Sequence, residues 1–279
     1  MSGKIKTKGI FQMTTFGFIG TGHLGSMLIE KFVETGVMQA EDVMASNRTP
    51  EKAMHLAKAV GIRVATNRAV AGLSDVIFIC VRPLEVRDVV CELADLLNRD
   101  KLLVSVAGDV SLYKLKSLCQ ARLARAFPSI ASQKLQGVTL LSFADNATTE
   151  DRTNLISLFR AIGYPAEVDE MDFPVLADLT SCAPGYFAAI MREFSLAAER
   201  KGVSAELAER LVRQTMLGTA MLLDEENFAG LIEKVATRGG ITEAGIKVIR
   251  RDAPCMFDQL FQATEARHEQ VKKSVDGQR

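Results

Sequence analysis

Two glycine-rich stretches of this chain have the residue types that bind anions through backbone N–H groups. In the first, residues 16–25, a short apolar run ends in Gly-x-Gly-x-x-Gly, and a helix-like segment follows at once. Gly20 permits a tight turn, Gly22 lets the backbone approach a pyrophosphate, and Gly25 lets the helix pack closely on the strand. The helix N-terminus adds unpaired N–H groups and a positive dipole end. The residues predicted to bind a dinucleotide here are Gly20, Thr21, Gly22, His23, Leu24 and Gly25.

The second stretch, residues 236–245, has a Gly-Gly pair that opens directly into a predicted helix. Its exposed N–H groups can bind a substrate carboxylate in the way the first loop binds phosphate, and Thr237 and Thr242 add hydroxyl donors. The same residues also fit an ordinary capping turn with Thr242 in the first helical turn. The residue types alone do not decide between these two interpretations.

The end of the second predicted strand indicates which dinucleotide binds. NAD enzymes usually place an Asp or Glu about 20 residues after the glycines, where it binds the ribose 2′-hydroxyl. This chain instead has Ser46, Asn47, Arg48 and Thr49 there. Arg48 can hold a 2′-phosphate while its polar neighbours hydrogen-bond it, which favours NADP over NAD. The residues also fit a polar turn in which Thr49 and Pro50 start a helix, and both interpretations can hold together.

Two further turns follow predicted strands at the edge of the sheet where ligands bind. Their residues would allow close approach of a nicotinamide ribose, and they fit ordinary strand-to-helix turns equally well. A third turn, residues 127–130, is placed to line the nicotinamide end. The cofactor-binding residues of the first two turns are Val81, Arg82, Pro83, Ala107 and Gly108.

Strands and helices alternate through the first part of the chain, which predicts a doubly wound α/β fold. The predicted strands are continuous apolar runs, a pattern typical of a parallel sheet that is buried on both faces. The alternation ends in the acidic residues 167–172, and the pattern is then helical almost to the end. We therefore predict a flexible tail over residues 1–12, a dinucleotide-binding domain over residues 13–168 and a helical domain over residues 169–279.

The helical part begins with an unusually apolar helix over residues 173–201, which Pro184 is expected to kink. A helix that is apolar on more than one face needs a packing partner. One internal helical core would satisfy that need. A homodimer built from these helices is the favoured interpretation, because four or five helices make a thin core for such apolar sequences.

The composition bears on several other classes of function. The chain has 279 residues and a formal net charge of zero, so no overall field attracts nucleic acid or a membrane surface. The longest uninterrupted apolar runs are strand-length, and no membrane span is expected. The 5 cysteines and 3 histidines are scattered without metal-ligand spacing, which predicts a cytoplasmic protein with reduced thiols and no metal site.

Together these motifs resemble the pyrroline-5-carboxylate reductase family over residues 15–271. The family's Ala-Val-Lys-Pro turn corresponds to residues 80–83, and its Ser-x-Ala-Ala-Gly turn corresponds to residues 105–108. Its Ser-Gly-Ser-Gly-Pro-Ala-Tyr helix start corresponds to residues 180–186, and its Ser-Pro-Gly-Gly-Thr-Thr signature corresponds to residues 237–242. The last match is the most specific, because Gly-Gly-x-Thr-x-x-Gly lies at the right distance from the other motifs.

The resemblance implies a Rossmann domain followed by an all-helical dimerisation domain, with an active site between the cofactor and helices of both subunits. It implies hydride transfer from NADPH, with NAD as the alternative cofactor, to the C=N carbon of 1-pyrroline-5-carboxylate or a close cyclic imine carboxylate. Thr242 is then the catalytic residue, and it would hold the carboxylate and ring together with the loop amides. The residues implied to bind substrate are Thr237, Arg238, Gly239, Gly240, Ile241 and Thr242.

Some residues depart from the family's pattern. Ser129 replaces the Asn of Met-Pro-Asn-Thr-Pro, and Arg238 replaces the Pro of Pro-Gly-Gly. Arg238 can serve a carboxylate or fill the pocket. These changes indicate a divergent branch, such as the late-competence proteins that resemble this reductase. Two other functions stay open: a non-catalytic nucleotide-binding regulatory protein, and a 3-hydroxyacid dehydrogenase, against which the absence of Lys from residues 173–190 counts.

Overall fold

Eight strands form one sheet in the part of the chain that the structure, a computed structural model, describes, which is residues 14–277. The prediction of a flexible tail over residues 1–12 falls outside these residues. The strands are β1 (Phe16–Ile19), β2 (Val43–Ser46), β3 (Arg63–Val64), β4 (Val76–Ile79), β5 (Leu102–Ser105), β6 (Arg122–Pro128), β7 (Gly137–Phe143) and β8 (Gly163–Glu167). Their spatial order is β3-β2-β1-β4-β5-β6-β7-β8. Only the β6–β7 pair is antiparallel among these strands, and the other pairs are parallel.

The helices are α1 (His23–Glu34), α2 (Pro50–Val60), α3 (Asn67–Leu73), α4 (Pro83–Leu93), α5 (Leu112–Lys116), α6 (Thr149–Arg160), α7 (Phe173–Ala177), α8 (Ala183–Glu199), α9 (Ala205–Leu222), α10 (Phe228–Val235) and α11 (Ile241–Asp276). β1 lies between β2 and β4, so the chain reverses its direction of winding beside β1. In doubly wound sheets ligands bind at such a point, beyond the carboxyl ends of the strands. The sheet order therefore places the loops after β1, β2 and β4 next to one another.

Two apolar cores, one on each face of the sheet, explain the continuous apolar strands. Phe18 and Phe78 belong to one core, while Ile19 and Ile79 belong to the other, although all four side chains lie on two neighbouring strands. The rings of Phe18 and Phe78 stack with their centroids 4.6 Å apart. Because successive side chains of a strand point to opposite faces, burial on both faces makes every position apolar. The predicted α/β fold with a doubly wound sheet and a helical C-terminal part is confirmed.

Two elements of this fold were not predicted from the sequence. α3 follows Thr66, whose side chain accepts a hydrogen bond from the Ala69 N–H. β8 extends the sheet beside β7. It contains Pro165 and an exposed Tyr164, which weaken the pattern of a buried strand and are tolerated because β8 is at the edge.

The long apolar helix is divided where the sequence predicted a kink at Pro184. α7 and α8 are joined by a π-helical turn at Asp178–Cys182, immediately before the proline. A proline inside a helix has no N–H to donate to the preceding turn, and its ring crowds the carbonyl there. A wider π turn accommodates both effects.

The chain divides into two compact units. The first comprises the described residues up to Cys182 together with those from Arg267 onward, and the second is Ala183–Ala266. α7 belongs to the sheet-containing unit because Phe173 and Ala177 are buried in it. The division into units, after Cys182, therefore lies further along the chain than the change from alternating strands to helices near residue 168.

One helical segment, Glu170–Glu199, is long and apolar enough to cross a membrane by length and composition alone, with a mean hydropathy of 1.2. A few polar residues interrupt this segment, so the uninterrupted apolar runs of the sequence did not predict a helix of this length and hydropathy. The helices of the second unit expose many large apolar side chains. They include Phe187, Phe194, Leu211, Leu217, Met221, Phe228, Ile249 and Met256.

Candidate active site

The glycine loop between β1 and α1 has the geometry of a nucleotide cradle. Gly20 has a φ of 103°, and a Cβ added to it would lie 2.7 Å from the Cys80 carbonyl oxygen. A Cβ on Gly25 would lie 2.2 Å from the Gly20 carbonyl oxygen. A Cβ on Gly22 would meet nothing within 4 Å. Gly20 and Gly25 are therefore required by the fold, whereas Gly22 keeps space open at the start of α1.

Thr21 carries an unsatisfied buried hydroxyl in this loop. Its side chain is buried, and its Oγ1 has no hydrogen-bond partner among the described residues. Its N–H donates to the Asn47 Oδ1 over 3.1 Å, which fixes the backbone of the loop to the end of β2. A buried polar atom without a partner costs about 1–3 kcal/mol. Thr21 is not among the residues that line the cleft over Gly20 and Gly22, so the buried hydroxyl is an internal feature of the loop.

The predicted cofactor residues after β2 divide into two groups. Ser46 is buried, and its hydroxyl donates to the Asn67 Oδ1 over 2.7 Å. The side-chain amide of Asn47 accepts from Thr21 and donates to the Thr49 carbonyl over 2.9 Å. These two side chains shape the turn. Arg48 is different, because 81% of its side chain is exposed.

An open cleft of about 660 Å³ lies over the glycine loop. All of the predicted cofactor residues that line it come from the loops after β1, β2 and β4. The predicted cofactor residues in its wall are Gly20, Gly22, Asn47, Arg48, Thr49, Val81 and Arg82. The sheet order thus brings together three stretches that are distant in the chain.

Glu85 is a residue of this cleft that sequence reasoning missed. Its Oε1 contacts the guanidinium groups of both Arg48, over 2.8 Å, and Arg82, over 2.7 Å. Its Oε2 accepts from the Arg82 N–H over 3.2 Å, which caps the start of α4. The hydrogen bond from the Arg82 side chain is the main cause that lowers the pKa of Glu85 to about 2. The acidic residue three positions after the turn was the available signal for the cap, but not for the contact with Arg48.

The turn of Val81, Arg82 and Pro83 serves as both a helix start and a cleft wall. Pro83 occupies the first turn of α4, and Arg82 is the N-cap. The interpretation as an ordinary strand-to-helix turn is confirmed. Val81 and Arg82 also line the cleft, and their binding to a cofactor stays a prediction.

The turn after β5 lies elsewhere in the first unit. Ala107 is buried, and a Cβ on Gly108 would lie 3.2 Å from the Phe127 ring. Asp109 follows with a φ of 57°, and its Oδ1 lies 3.0 Å from the His268 Nδ1 near the end of α11. Ala107 and Gly108 do not line the cleft above the glycine loop. The Asp109–His268 contact had no sequence signal, because its members are distant in the chain.

The second glycine loop, in the second unit, is a closed turn at the start of α11. Gly239 has a φ of 75°, and its N–H donates to the Glu243 Oε2 over 2.7 Å. The Gly240 N–H donates to the Thr237 carbonyl over 2.9 Å, and a Cβ on Gly240 would lie 2.6 Å from the Thr237 Oγ1. The two amides expected to hold a substrate carboxylate already have acceptors within the chain.

Glu243 supplies its own carboxylate to this loop. The hydrogen bond from Gly239 is the main cause that lowers the pKa of Glu243, and the Lys247 ammonium lies 3.4 Å from the same carboxylate. Ile241 and Thr242 occupy the first turn of α11, where N–H groups have no carbonyl one turn earlier in the helix. Ile241 is 94% exposed. The loop thus already binds a carboxylate of the chain itself, and an external one would compete with Glu243 or use the next amides.

Two observations bear on other chemistry. Within residues 14–277, no group of three or more His, Cys, Asp or Glu side chains is arranged to hold a metal ion. Burial raises the pKa of the Cys80 thiol, which lies beside the glycine loop. Burial therefore favours the neutral thiol over the reactive thiolate.

Comparison with known proteins places this chain in a family. Residues 170–271 match the family model for pyrroline-5-carboxylate reductase dimerisation, and residues 15–108 match that for NADP oxidoreductase, coenzyme F420-dependent. Pyrroline-5-carboxylate reductase 3 of Bacillus subtilis is 30% identical over 271 residues, which is 95% of this chain and 100% of that protein. The chain belongs to the pyrroline-5-carboxylate reductase family. The ComE operon protein 4 of the same organism is 29% identical over 94% of this chain and 98% of its own length.

Solved structures of pyrroline-5-carboxylate reductases have the same fold. The Coxiella burnetii structure has a TM-score of 0.84 at 26% identity and covers 95% of this chain and 99% of its own. The Plasmodium falciparum structure, solved with NADP bound, has a TM-score of 0.81 at 21% identity, covering 94% and 98%. This member of the pyrroline-5-carboxylate reductase family is an NAD(P)H-dependent oxidoreductase. The family model that matches residues 15–108 supports NADP(H) as its cofactor.

Proposed function

We propose that this family member is an NADPH-dependent reductase of the C=N bond of 1-pyrroline-5-carboxylate, or of a close cyclic imine acid. The first substrate would give proline. The observation that carries the proposal is the Gly239-Gly240-Ile241-Thr242 loop at the start of α11, in a chain that also keeps an open glycine cradle. One loop is suited to a carboxylate and the other to a pyrophosphate.

The residues of the chain bind and orient rather than transfer protons. In the proposal, the Gly20–Gly25 loop binds the pyrophosphate, Arg48 binds the 2′-phosphate, and Thr242 with the first-turn amides of α11 binds the substrate carboxylate. When bound, NADPH supplies the hydride. A ring nitrogen that is already protonated makes the C=N carbon electrophilic, so one hydride gives the neutral secondary amine, which then takes up a proton from solvent to become the ammonium. Residues 236–242 accordingly need no His or Lys, and they contain neither.

An assay of the full chain tests the reaction. Purified protein is mixed with NADPH and 1-pyrroline-5-carboxylate, and the absorbance of the reduced cofactor is followed. We expect loss of reduced cofactor with formation of one proline per NADPH consumed. Binding of NADPH without any turnover would contradict the proposal.

A non-catalytic nucleotide-binding regulatory protein is the second candidate. Ser129 and Arg238, at positions where the family's pattern has other residues, favour it. The retained Gly239-Gly240-x-Thr242 loop favours the reductase instead. The 3-hydroxyacid dehydrogenase alternative loses its support, because the comparisons place the chain in another family.

The assignment of the 2′-phosphate to Arg48 gives a binding prediction. Arg48→Ala is expected to raise the dissociation constant of NADPH about tenfold or more and that of NADH by less than about twofold. The reason is that a charge-assisted bidentate contact is lost only for the phosphate. Dissociation constants from cofactor fluorescence measure both effects. Arg68→Ala is the matched control, since Arg68 is an exposed arginine paired with Asp95 and does not line the cleft. Equal losses for the two cofactors would contradict the assignment.

The proposal includes a homodimer or a larger homo-oligomer in the cytoplasm. The match of residues 170–271 to a dimerisation model supports it, and so do the exposed apolar side chains of the second unit. A partner subunit, rather than lipid, would then cover the apolar helical segment Glu170–Glu199. The cysteines of the described residues are all free, as a reducing compartment requires.

A further inference from the structure

The dinucleotide cleft contains a three-residue charge cluster, Arg48–Glu85–Arg82, that no sequence motif describes. The two arginines come from the loops after β2 and β4, and their guanidinium groups meet on one oxygen atom, the Oε1 of Glu85. Arg48 is 81% exposed and Arg82 is 74% exposed, whereas Glu85 is 30% exposed. The arginines therefore reach into the cleft, and the carboxylate lies beneath them.

Each member of the cluster is held differently. Glu85 is fixed at both oxygens, because its Oε2 caps the backbone N–H of Arg82 while its Oε1 contacts the two side chains. Neither arginine side chain forms an ion pair with any other described residue than Glu85. The pKa of Glu85 is lowered to about 2, so the carboxylate is ionised at neutral pH. The cluster then carries two positive charges and one negative charge.

A phosphate monoester fits this arrangement better than a hydroxyl does. It carries close to two negative charges near pH 7 and presents three acceptor oxygens, so it can bind two guanidinium groups at once. The ribose hydroxyl of NADH has no charge for the arginines to bind, but it can donate a hydrogen bond to a carboxylate. Glu85 thus has the chemistry of the acidic residue that NAD enzymes place after β2 and that this chain lacks there.

We infer that Arg82 is a second ligand of the cofactor's 2′-phosphate beside Arg48, and that Glu85 is the counter-charge which limits the preference for NADPH over NADH. This inference rests on the proposed use of NADPH, but not on the identity of the imine. In the free protein Glu85 holds the two guanidinium groups together. When NADPH is bound, its 2′-phosphate accepts hydrogen bonds from the outward-facing N–H groups of the two arginines. The negative charge of Glu85 then repels this phosphate.

The overall charge of the cleft does not provide this discrimination. Lys52 also lines it, but so do Asp88 and Glu92, so the basic and acidic side chains in the wall are balanced. A balanced wall gives no general attraction for a dianion. The preference must then come from the position of Arg48 and Arg82, which makes it sensitive to single substitutions.

The test measures equilibrium binding of NADPH, NADH, 2′,5′-ADP and 5′-AMP to the full chain and to three variants. Arg82→Ala leaves the backbone cap of α4 intact and is expected to weaken NADPH and 2′,5′-ADP about tenfold, with NADH and 5′-AMP changed less than about twofold. Glu85→Gln keeps a carbonyl acceptor and removes the charge, so NADPH is expected to bind about threefold or more tightly while NADH binds no better. Arg68→Ala is expected to leave the affinity for all four ligands unchanged.

The outcomes separate this inference from the proposed function. The inference would be overturned if Arg82→Ala weakened the binding of NADPH and NADH equally. It would also be overturned if Glu85→Gln did not raise the ratio of NADPH to NADH affinity. Neither result would contradict the reductase proposal. The variants could instead change binding of only the 2′-phosphorylated ligands, NADPH and 2′,5′-ADP, in a protein that does not turn over the imine. That result would support the inference and reject the reductase proposal.

Discussion

Gly22→Val is expected to abolish NADPH binding, with the dissociation constant raised at least about 100-fold, while the protein stays folded. Gly22 is the N-cap of α1 with φ −71° and ψ −169°, an extended conformation that valine adopts without strain. A side chain there meets no protein atom within 4 Å of its Cβ. It would instead fill the space above the loop into which a pyrophosphate must come.

Gly25→Ala and Gly72→Val complete this experiment. A Cβ on Gly25 would lie 2.2 Å from the Gly20 carbonyl oxygen, so Gly25→Ala should lower both the melting temperature and the affinity. Gly72 on α3 has open space around it and does not line the cleft, so Gly72→Val should leave NADPH binding unchanged. Cofactor titration and thermal unfolding distinguish the three variants. Normal NADPH affinity in a folded Gly22→Val protein would show that the dinucleotide does not bind at this loop.

Thr242→Val is the second prediction with a large expected effect. It keeps the shape of the side chain at the start of α11 but removes its hydroxyl, so kcat/KM for the imine should fall about 10- to 100-fold. NADPH affinity should not change, because Thr242 lies in the proposed substrate loop and not in the nucleotide cleft. Steady-state kinetics with the imine varied at saturating NADPH measure the effect.

Two variants control for structural damage in this experiment. Thr242→Ser restores a hydroxyl and should recover most of the lost kcat/KM. Thr153→Val removes a hydroxyl on α6 that donates only to the Thr149 carbonyl, over 2.9 Å, and should leave the kinetics unchanged. Unchanged kcat and KM in Thr242→Val would show that the loop at the start of α11 does not bind the substrate through this hydroxyl.

Sequence reasoning worked best where a structure depends on neighbours in the chain. Pro50 begins α2, Pro50–Val60, as the sequence predicted, and Gly61, with a φ of 88°, ends it. The glycine loop after β1 was equally local, since Gly20 and Gly25 are needed by contacts within a few residues or with the adjacent strand. The contact of Glu243 with Gly239 is also local, and an acidic residue in the first turn of a helix was its available signal.

Sequence reasoning was weaker at the edge of the sheet and inside the long apolar helix. β8 contains Pro165, which is acceptable only because no further strand pairs with β8 in the described sheet. The π turn at Asp178–Cys182 replaces a simple kink because the chain must accommodate Pro184 within a continuing helix. In both cases the local pattern was compatible with more than one geometry.

The sequence by itself determined the doubly wound α/β fold, the position of the nucleotide loop and the resemblance to a reductase family, because each depends on residue order over short spans. Only the tertiary structure decided that Arg48, Arg82 and Glu85 meet. The physical reason is the sheet order, in which β1 lies between β2 and β4. That order brings the ends of separate strands side by side and sets charges from distant segments on one carboxylate.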